Sequence, residues 1–324
     1  MKNMKKRTNP MLGLLLGVAL VGSACSSTTE EGAKAPIASV QPAAERVMKD
    51  ALGHEVKIPA NPQRIIGSYL EDHLVALGVK PVAQWSVNNG KTVQNYLQKD
   101  LNGIPTIPSD LPFESVLSFT PDLILVDSAD QVAGDKYDRY AKIAPTFTVG
   151  NATNNDWRQE FTSVADVLNK SEQAKKVLTA YDAKVKDAKE KLQQAIGNKT
   201  VAVFWVTEKA VYVPNEKLSS GDVLYHDLGM NAPDEIREIS KTATANWSAI
   251  SMEKLAQMKI DYIFMVNNKG VSKAEMMKDP VWAGIPAVKN GQVFEYDSNA
   301  SWLYTGAIAN SQMIDNVLHD ILKK

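Results

Sequence analysis

The chain has 324 residues, with 36 Lys and Arg against 37 Asp and Glu, for a formal net charge of −1. That length suits one large or two ordinary domains, and a near-neutral chain whose basic run ends at Arg7 excludes a nucleic-acid partner. Cys25 is the only cysteine, so a disulfide framework and a thiolate metal centre are excluded. His54, His73, His226 and His319 fall at no helical ligand spacing; each is read as a surface or capping residue, and no metal site is expected.

Lys2, Lys5, Lys6 and Arg7 lead into an apolar stretch from Met11 to Ala24 that ends in Gly22, Ser23 and Ala24. Residues 1–24 therefore read as a secretory signal peptide, too short for a transmembrane helix. Its removal takes away those four positive charges and moves the formal charge from −1 to −5. Gly22-Ser23-Ala24-Cys25 resembles a bacterial lipobox, although the pattern prefers a larger aliphatic residue where Gly22 stands. A lipid on Cys25 would hold the chain on the outer face of the cell membrane; a leftover free thiol is the alternative. Residues 25–47 are small, polar and proline-punctuated, as suits a lipidated cysteine and a flexible tether.

From residue 48 the pattern alternates between strand and helix. Val56-Lys57-Ile58 reads as a short strand, Arg64 to Ser68 as the next, followed by a helical stretch closed at Gly78. Val82 to Trp85, a helix from about Val93 to Lys99, and Leu123 to Val126 continue it, the last apolar enough to be buried on both faces. This predicts an α/β lobe with a largely parallel sheet over residues 48–168.

Between Ser171 and about Gln194, apolar side chains recur at Ala174, Val177, Leu178, Tyr181, Val185, Ala188 and Leu192. The spacing predicts one long amphipathic helix, and residues 169–198 read as a rigid connector. Val201 to Val206 and Ala210 to Val213 then open a second α/β lobe over 199–324. An internal echo pairs the lobes: Glu114 precedes Asp122 by eight residues, Glu253 precedes Asp261 by eight, and the copies lie 139 residues apart. Each copy is a short helix feeding an apolar strand.

Five segments, taken in order, carry a resemblance: Asp50 to Pro59 with Pro62 to Ile65, Leu77 to Val82, Pro121 to Leu125, Trp247 to Leu255, and Trp282 with Ala287 to Val293. Over residues 48 to 322 the chain resembles the substrate-binding lipoproteins of iron-siderophore importers driven by ATP-binding cassettes. The resemblance implies two Rossmann-like α/β lobes joined by one long rigid helix, the class III periplasmic-binding-protein-like fold. It further implies a monomer without catalytic residues or cofactor, whose ligand is a ferric siderophore with the iron held by siderophore oxygens. Its partners would be the permease and ATPase subunits of an ABC transporter. Glu114 and Glu253 match the positions that dock on permease arginines in similar proteins; both also suit a helix first turn, where the dipole favours a carboxylate.

A bulky siderophore complex calls for broad aromatic walls and a few polar donors at strand ends facing a crevice. Trp85, Trp205, Thr207, Tyr212, Trp302 and Tyr304 are the candidates, with Lys91 as a cleft cation or a solvated loop lysine. Trp302 and Tyr304 stand out because two large rings in a polar loop ending at Gly306 have no obvious core role, whereas Trp157, Trp247 and Trp282 read as packing residues. A trianionic ferric catecholate would need a cluster of bases; the sequence offers few, which favours a ferric hydroxamate. A catecholate, a citrate-hydroxamate siderophore, cobalamin, or haem ligated by Tyr212 or Tyr304 are the alternatives.

Overall fold

The computed structural model describes residues 45–152 and 155–323, all within one compact unit. The expected signal peptide, Cys25 and the tether up to residue 44 lie outside the described residues. The first described strand opens at Arg46, inside the segment expected to be a tether. Strand β1 (Arg46–Lys49) pairs antiparallel with β2 (Glu55–Ile58), and the Arg46 guanidinium donates to the carbonyls of Asp166 (2.8 Å) and Val167 (3.0 Å), which anchors this end of the chain.

In the first lobe β3 (Ile65–Ser68) leads into helix α1 (Glu71–Ala76), and β4 (Gln84–Ser86) pairs parallel with β5 (Thr106–Pro108). Helix α2 (Phe113–Ser118) feeds β6 (Leu123–Val126), the centre of a parallel sheet ordered β3-β6-β7 with β7 (Thr146–Thr148). An Ile66–Ala83 bridge joins β4 to this sheet. All four β6 residues are buried, as an unbroken aliphatic run requires when both faces of a strand are covered.

Helix α3 (Trp157–Val167) precedes the 26-residue α4 (Ser171–Ile196), about 39 Å long at 1.5 Å per residue. Its buried positions, Ala174, Tyr181, Ala188 and Leu192, form the predicted stripe. The second sheet is ordered β10-β9-β8-β11-β12. In it β8 (Val201–Thr207), β11 (Tyr262–Asn268) and β12 (Val293–Tyr296) run parallel, while β9 (Val211–Pro214) pairs antiparallel with both β8 and β10 (Trp247–Ile250).

The echo has a structural cause. Helix α5 (Met252–Gln257) feeds β11 as α2 feeds β6. The Asp122 carboxylate accepts from the Arg64 N–H (2.9 Å) while its own N–H donates to the Arg64 carbonyl (2.9 Å). Asp261 repeats this with Thr200, at 3.0 and 2.8 Å. Each aspartate clasps the residue just before the neighbouring parallel strand, so one local device sets the strand register in both lobes.

The lobes share more than α4. The C-terminal helix α6 (Ala307–Leu322) packs on α4 and returns to α1 in the first lobe, within one apolar cluster that runs from Leu70 and Leu74 through Tyr181 to Val203, Met313 and Ile314. At its centre the buried Asp72 carboxylate accepts from the N–H groups of Ile308 (3.0 Å) and Ala309 (2.9 Å) and from the Tyr96 hydroxyl (3.0 Å). Gly306 makes the approach feasible: its φ is +136°, and a Cβ there would stand 2.3 Å from Asp72 Oδ1. Asp72→Ala leaves the first N–H groups of α6 without an acceptor, so it should cost about 3 kcal/mol in urea unfolding. Gly306→Ala should destabilise through the same contact, whereas alanine at the exposed Gly103 turn, with open space around it, should fall short of both.

Candidate functional site

The expected wall residues fall into two aromatic groups and a remainder that lies elsewhere. Tyr69 directly follows β3 with φ +66°, a left-handed turn that swings the chain from strand to helix. Its ring meets Trp85 edge-on at 5.3 Å and Tyr304 at 6.4 Å, and Tyr304 lies 5.2 Å from Tyr96. This group bridges the lobes, since Tyr304 comes from the chain just before α6. The second group belongs to the second lobe: Trp205 on β8 lies 5.1 Å from Tyr212 on β9 and 6.0 Å from Trp247 on β10. Trp247 packs against the core cluster as expected, half-buried, and antiparallel pairing of β9 with β10 also brings it beside Trp205.

Trp302 is not a wall residue. It is fully buried, stacked 5.1 Å from Phe264 and 5.0 Å from Tyr296, so the short helical turn Ser301–Leu303 plugs the core. The Thr207 hydroxyl is spent on the β8–β9 hairpin, donating to the Ala210 carbonyl (3.0 Å) and accepting from the N–H groups of Lys209 (3.2 Å) and Ala210 (3.1 Å). Lys91 is exposed at the end of the turn Asn88–Lys91. Trp157 and Trp282 are buried as expected. Glu114 and Glu253 both lie in helix first turns, the latter fully exposed, where the backbone and the Ser251 hydroxyl lower its carboxyl from the usual value.

Between the lobes a small open cavity of about 50 Å³ is lined by Tyr69, His73, Asp127 and Glu160 on one side and by Lys217, Ser219, Asp222 and Asn246 on the other. Sequence reasoning missed most of these. His73, expected at the surface, is 3% exposed, with Nε2 3.5 Å from Glu160 Oε2. Asp127 follows β6; burial pushes its carboxyl up to about 7, helped by the charge of Glu160 and opposed by His73. Next to His73 on α1, Glu71 is buried with Oε1 accepting from the Trp85 N–H at 2.6 Å and Oε2 lacking a partner. Burial raises its carboxyl to about 8 despite that bond.

Asp222, His226 and Asp227 bring ligand-type atoms within 4.8 Å of one another. The arrangement is an ion-pair junction: Arg158 of α3 reaches Asp227 at 2.9 Å and Asp222 at 3.9 Å, and the Tyr181 hydroxyl donates to Asp227 at 2.6 Å.

A family model described as periplasmic binding protein matches residues 68–300. The chain is 30% identical to a probable siderophore-binding lipoprotein, YfiY, of Bacillus subtilis (strain 168), over 99% of both chains. It is 26% identical to the iron(3+)-hydroxamate-binding protein YxeB of the same organism over 98% of both. Its fold is similar to the crystal structure of a FhuD-fold periplasmic binding component of a Fep/Fec-like ferrichrome transporter from Bacillus subtilis. The TM-score is 0.71 at 27% identity, covering 86% of this chain and all of the other.

The raised Glu71 carboxyl sets a pH signature. A carboxyl whose folded value lies above its usual 4.5 favours folding only while neutral, so its penalty is absent below 4.5, grows as pH rises and levels off above about 8. Glu71→Gln keeps an acceptor for the Trp85 N–H and cannot ionise. Its unfolding free energy should match the parent's near pH 4.5 and exceed it at pH 8.5 by on the order of 4 kcal/mol, trimmed by the amide nitrogen left at the unpartnered position. A constant offset across that range would refute the assignment.

Proposed function

The chain belongs to the periplasmic binding protein family, and from that premise we propose that it captures a ferric siderophore outside the membrane and hands it to an ABC permease with its ATPase. The observation that carries the reading is the pair of aromatic groups, Tyr69–Trp85–Tyr96–Tyr304 bridging the lobes and Trp205–Tyr212–Trp247 on the sheet of the second lobe. Broad rings suit the apolar periphery of a large complex whose iron arrives fully ligated. The siderophore, not the protein, holds the metal.

A hydroxamate is favoured over a catecholate by the charge of the cleft. Asp127, Asp156, Glu160 and Asp222 line it, against the exposed Lys217 and the buried His73. A trianionic complex would be desolvated beside carboxylates, a heavy penalty, whereas a neutral trishydroxamate meets no such cost. The chain is proposed to act as a monomer, anchored through a lipid on Cys25.

Truncating Trp205 removes the indole that touches both Tyr212 and Trp247. Trp205→Ala should weaken ferric hydroxamate binding about 30-fold, a loss typical of a buried aromatic anchor, read by quenching of the remaining tryptophans. Parent-like affinity would move the ligand away from this wall.

Delivery rests on Glu114 and Glu253, one in each lobe and each able to form a charge-assisted bond with a permease arginine. Glu114→Ala and Glu253→Ala should leave siderophore affinity intact and lower uptake by cells, the double variant more than either single one. Normal uptake by the double variant at normal expression would leave both as helix-end residues.

A further inference from the structure

Most carboxylates lining the cleft already have partners. Glu160 stands 3.5 Å from the His73 imidazole and accepts from the Asn155 amide at 2.9 Å. Asp156 caps α3 by accepting from the Gln159 N–H at 2.9 Å. Asp222 faces Arg158 at 3.9 Å and the His226 imidazole at 3.2 Å. Asp127 is different: its recorded hydrogen bond is a long one, 3.4 Å from the Gln131 amide. No cation of the protein is paired with it among the described residues, and burial holds its carboxyl up at about 7. Such a carboxylate in a half-enclosed space is costly unless something positive joins it.

A second observation comes from the opposite lobe. Ser219 lines the same cavity, is 7% exposed, and its hydroxyl has no hydrogen-bond partner among the described residues. It adds a neutral acceptor to the lining of the same cavity. Tyr69, from the first aromatic group, lines this cavity as well, so the space is continuous with one of the walls assigned to the siderophore.

We propose that this part of the cleft seats a primary ammonium group carried on the ligand, with Asp127 as its counter-charge and the Glu160 carboxylate and Ser219 hydroxyl as further acceptors. The three N–H donors of an ammonium match acceptors arriving from β6, α3 and the second lobe. A bare metal ion fits less well, because the described side chains that crowd to metal-ligand distance are Asp222, His226 and Asp227, which Arg158 already occupies. The inference rests on the siderophore reading and sharpens it: the preferred ligand is a trishydroxamate with a free amine tail.

Ferrioxamine B, a ferric trishydroxamate ending in a primary ammonium, and its N-acetyl derivative, with the same iron centre and a neutral tail, separate the two ideas. Both are titrated by fluorescence quenching against the full chain at pH 8, where Asp127 is largely ionised. Acetylation should weaken binding about tenfold or more, the scale of one charge-assisted hydrogen bond. Asp127→Asn should bring the ratio of the two affinities close to one. Equal affinities in the parent would overturn the ammonium seat and leave the siderophore reading standing, as would a ratio unchanged by Asp127→Asn. Binding of neither compound would overturn both.

Discussion

The buried carboxylate of Asp72 against the first turn of α6 is the contact on which the rest of the molecule depends. A carboxylate 2% exposed has given up its water, and burial pushes its carboxyl upward; two backbone N–H groups and a tyrosine hydroxyl return part of that cost. The N-terminal end of a 16-residue helix adds its own partial positive charge. Because Asp72 belongs to the first lobe and α6 follows the second, the bond fixes the lobes across the apolar cluster that Leu74, Tyr181 and Ile314 share. Two further ties act beside it, Arg158 to Asp227 and the Asn95 amide to Asn299 at 2.6 Å. The connector is thus a long helix backed by a second one and pinned by polar bonds, and wide hinge opening would break several of them together.

The same few residues on α1 also shape the cleft. Tyr69 presents its ring to Trp85 and Tyr304, Glu71 holds the Trp85 N–H, Asp72 holds α6, and His73 meets Glu160. Four residues between Tyr69 and His73 therefore supply part of the cavity lining, the hold on Trp85 and the lobe junction. The short helix can do this because its side chains leave in different directions within little more than one turn. Substitution at any of them alters more than one feature, so a weakened ligand does not identify a contact residue here unless stability is measured beside it.

What was legible in the sequence was local. The α4 stripe repeats with helical period over about five turns, from Ala174 to Leu192, so tertiary packing had only to confirm it, and β6 announced its double burial through four consecutive aliphatics. The eight-residue echo was legible for the same reason: a helix turn, a loop and a clasping aspartate are covalently adjacent, and the clasp repeats at Asp122 and Asp261. Trp302 was illegible because its burial is made by Phe264 and Tyr296 from other strands, and nothing in a polar, glycine-ended loop encodes them. Trp247 meets Trp205 through β9–β10 pairing, which sequence spacing does not fix. Glu71, His73 and Asp127 escaped notice because their unusual character is their burial, which exists only once two lobes close over them.

In the proposed reading, two kinds of surface divide the work of recognition by physical principle. Aromatic walls contribute affinity in proportion to the apolar area they cover, and they tolerate many shapes because every ring face is alike. Carboxylates discriminate: a buried negative charge rejects an anionic complex at a cost that rings cannot offset. Trp205, Tyr212 and Trp247 sit on one sheet where strand pairing holds them still, while Asp127 sits at a strand end where the chain turns and the cavity begins. Rigid rings with fixed spacing favour a preorganised site, and in the proposed reading the charge of Asp127 sets which member of a chemically similar ligand series binds best.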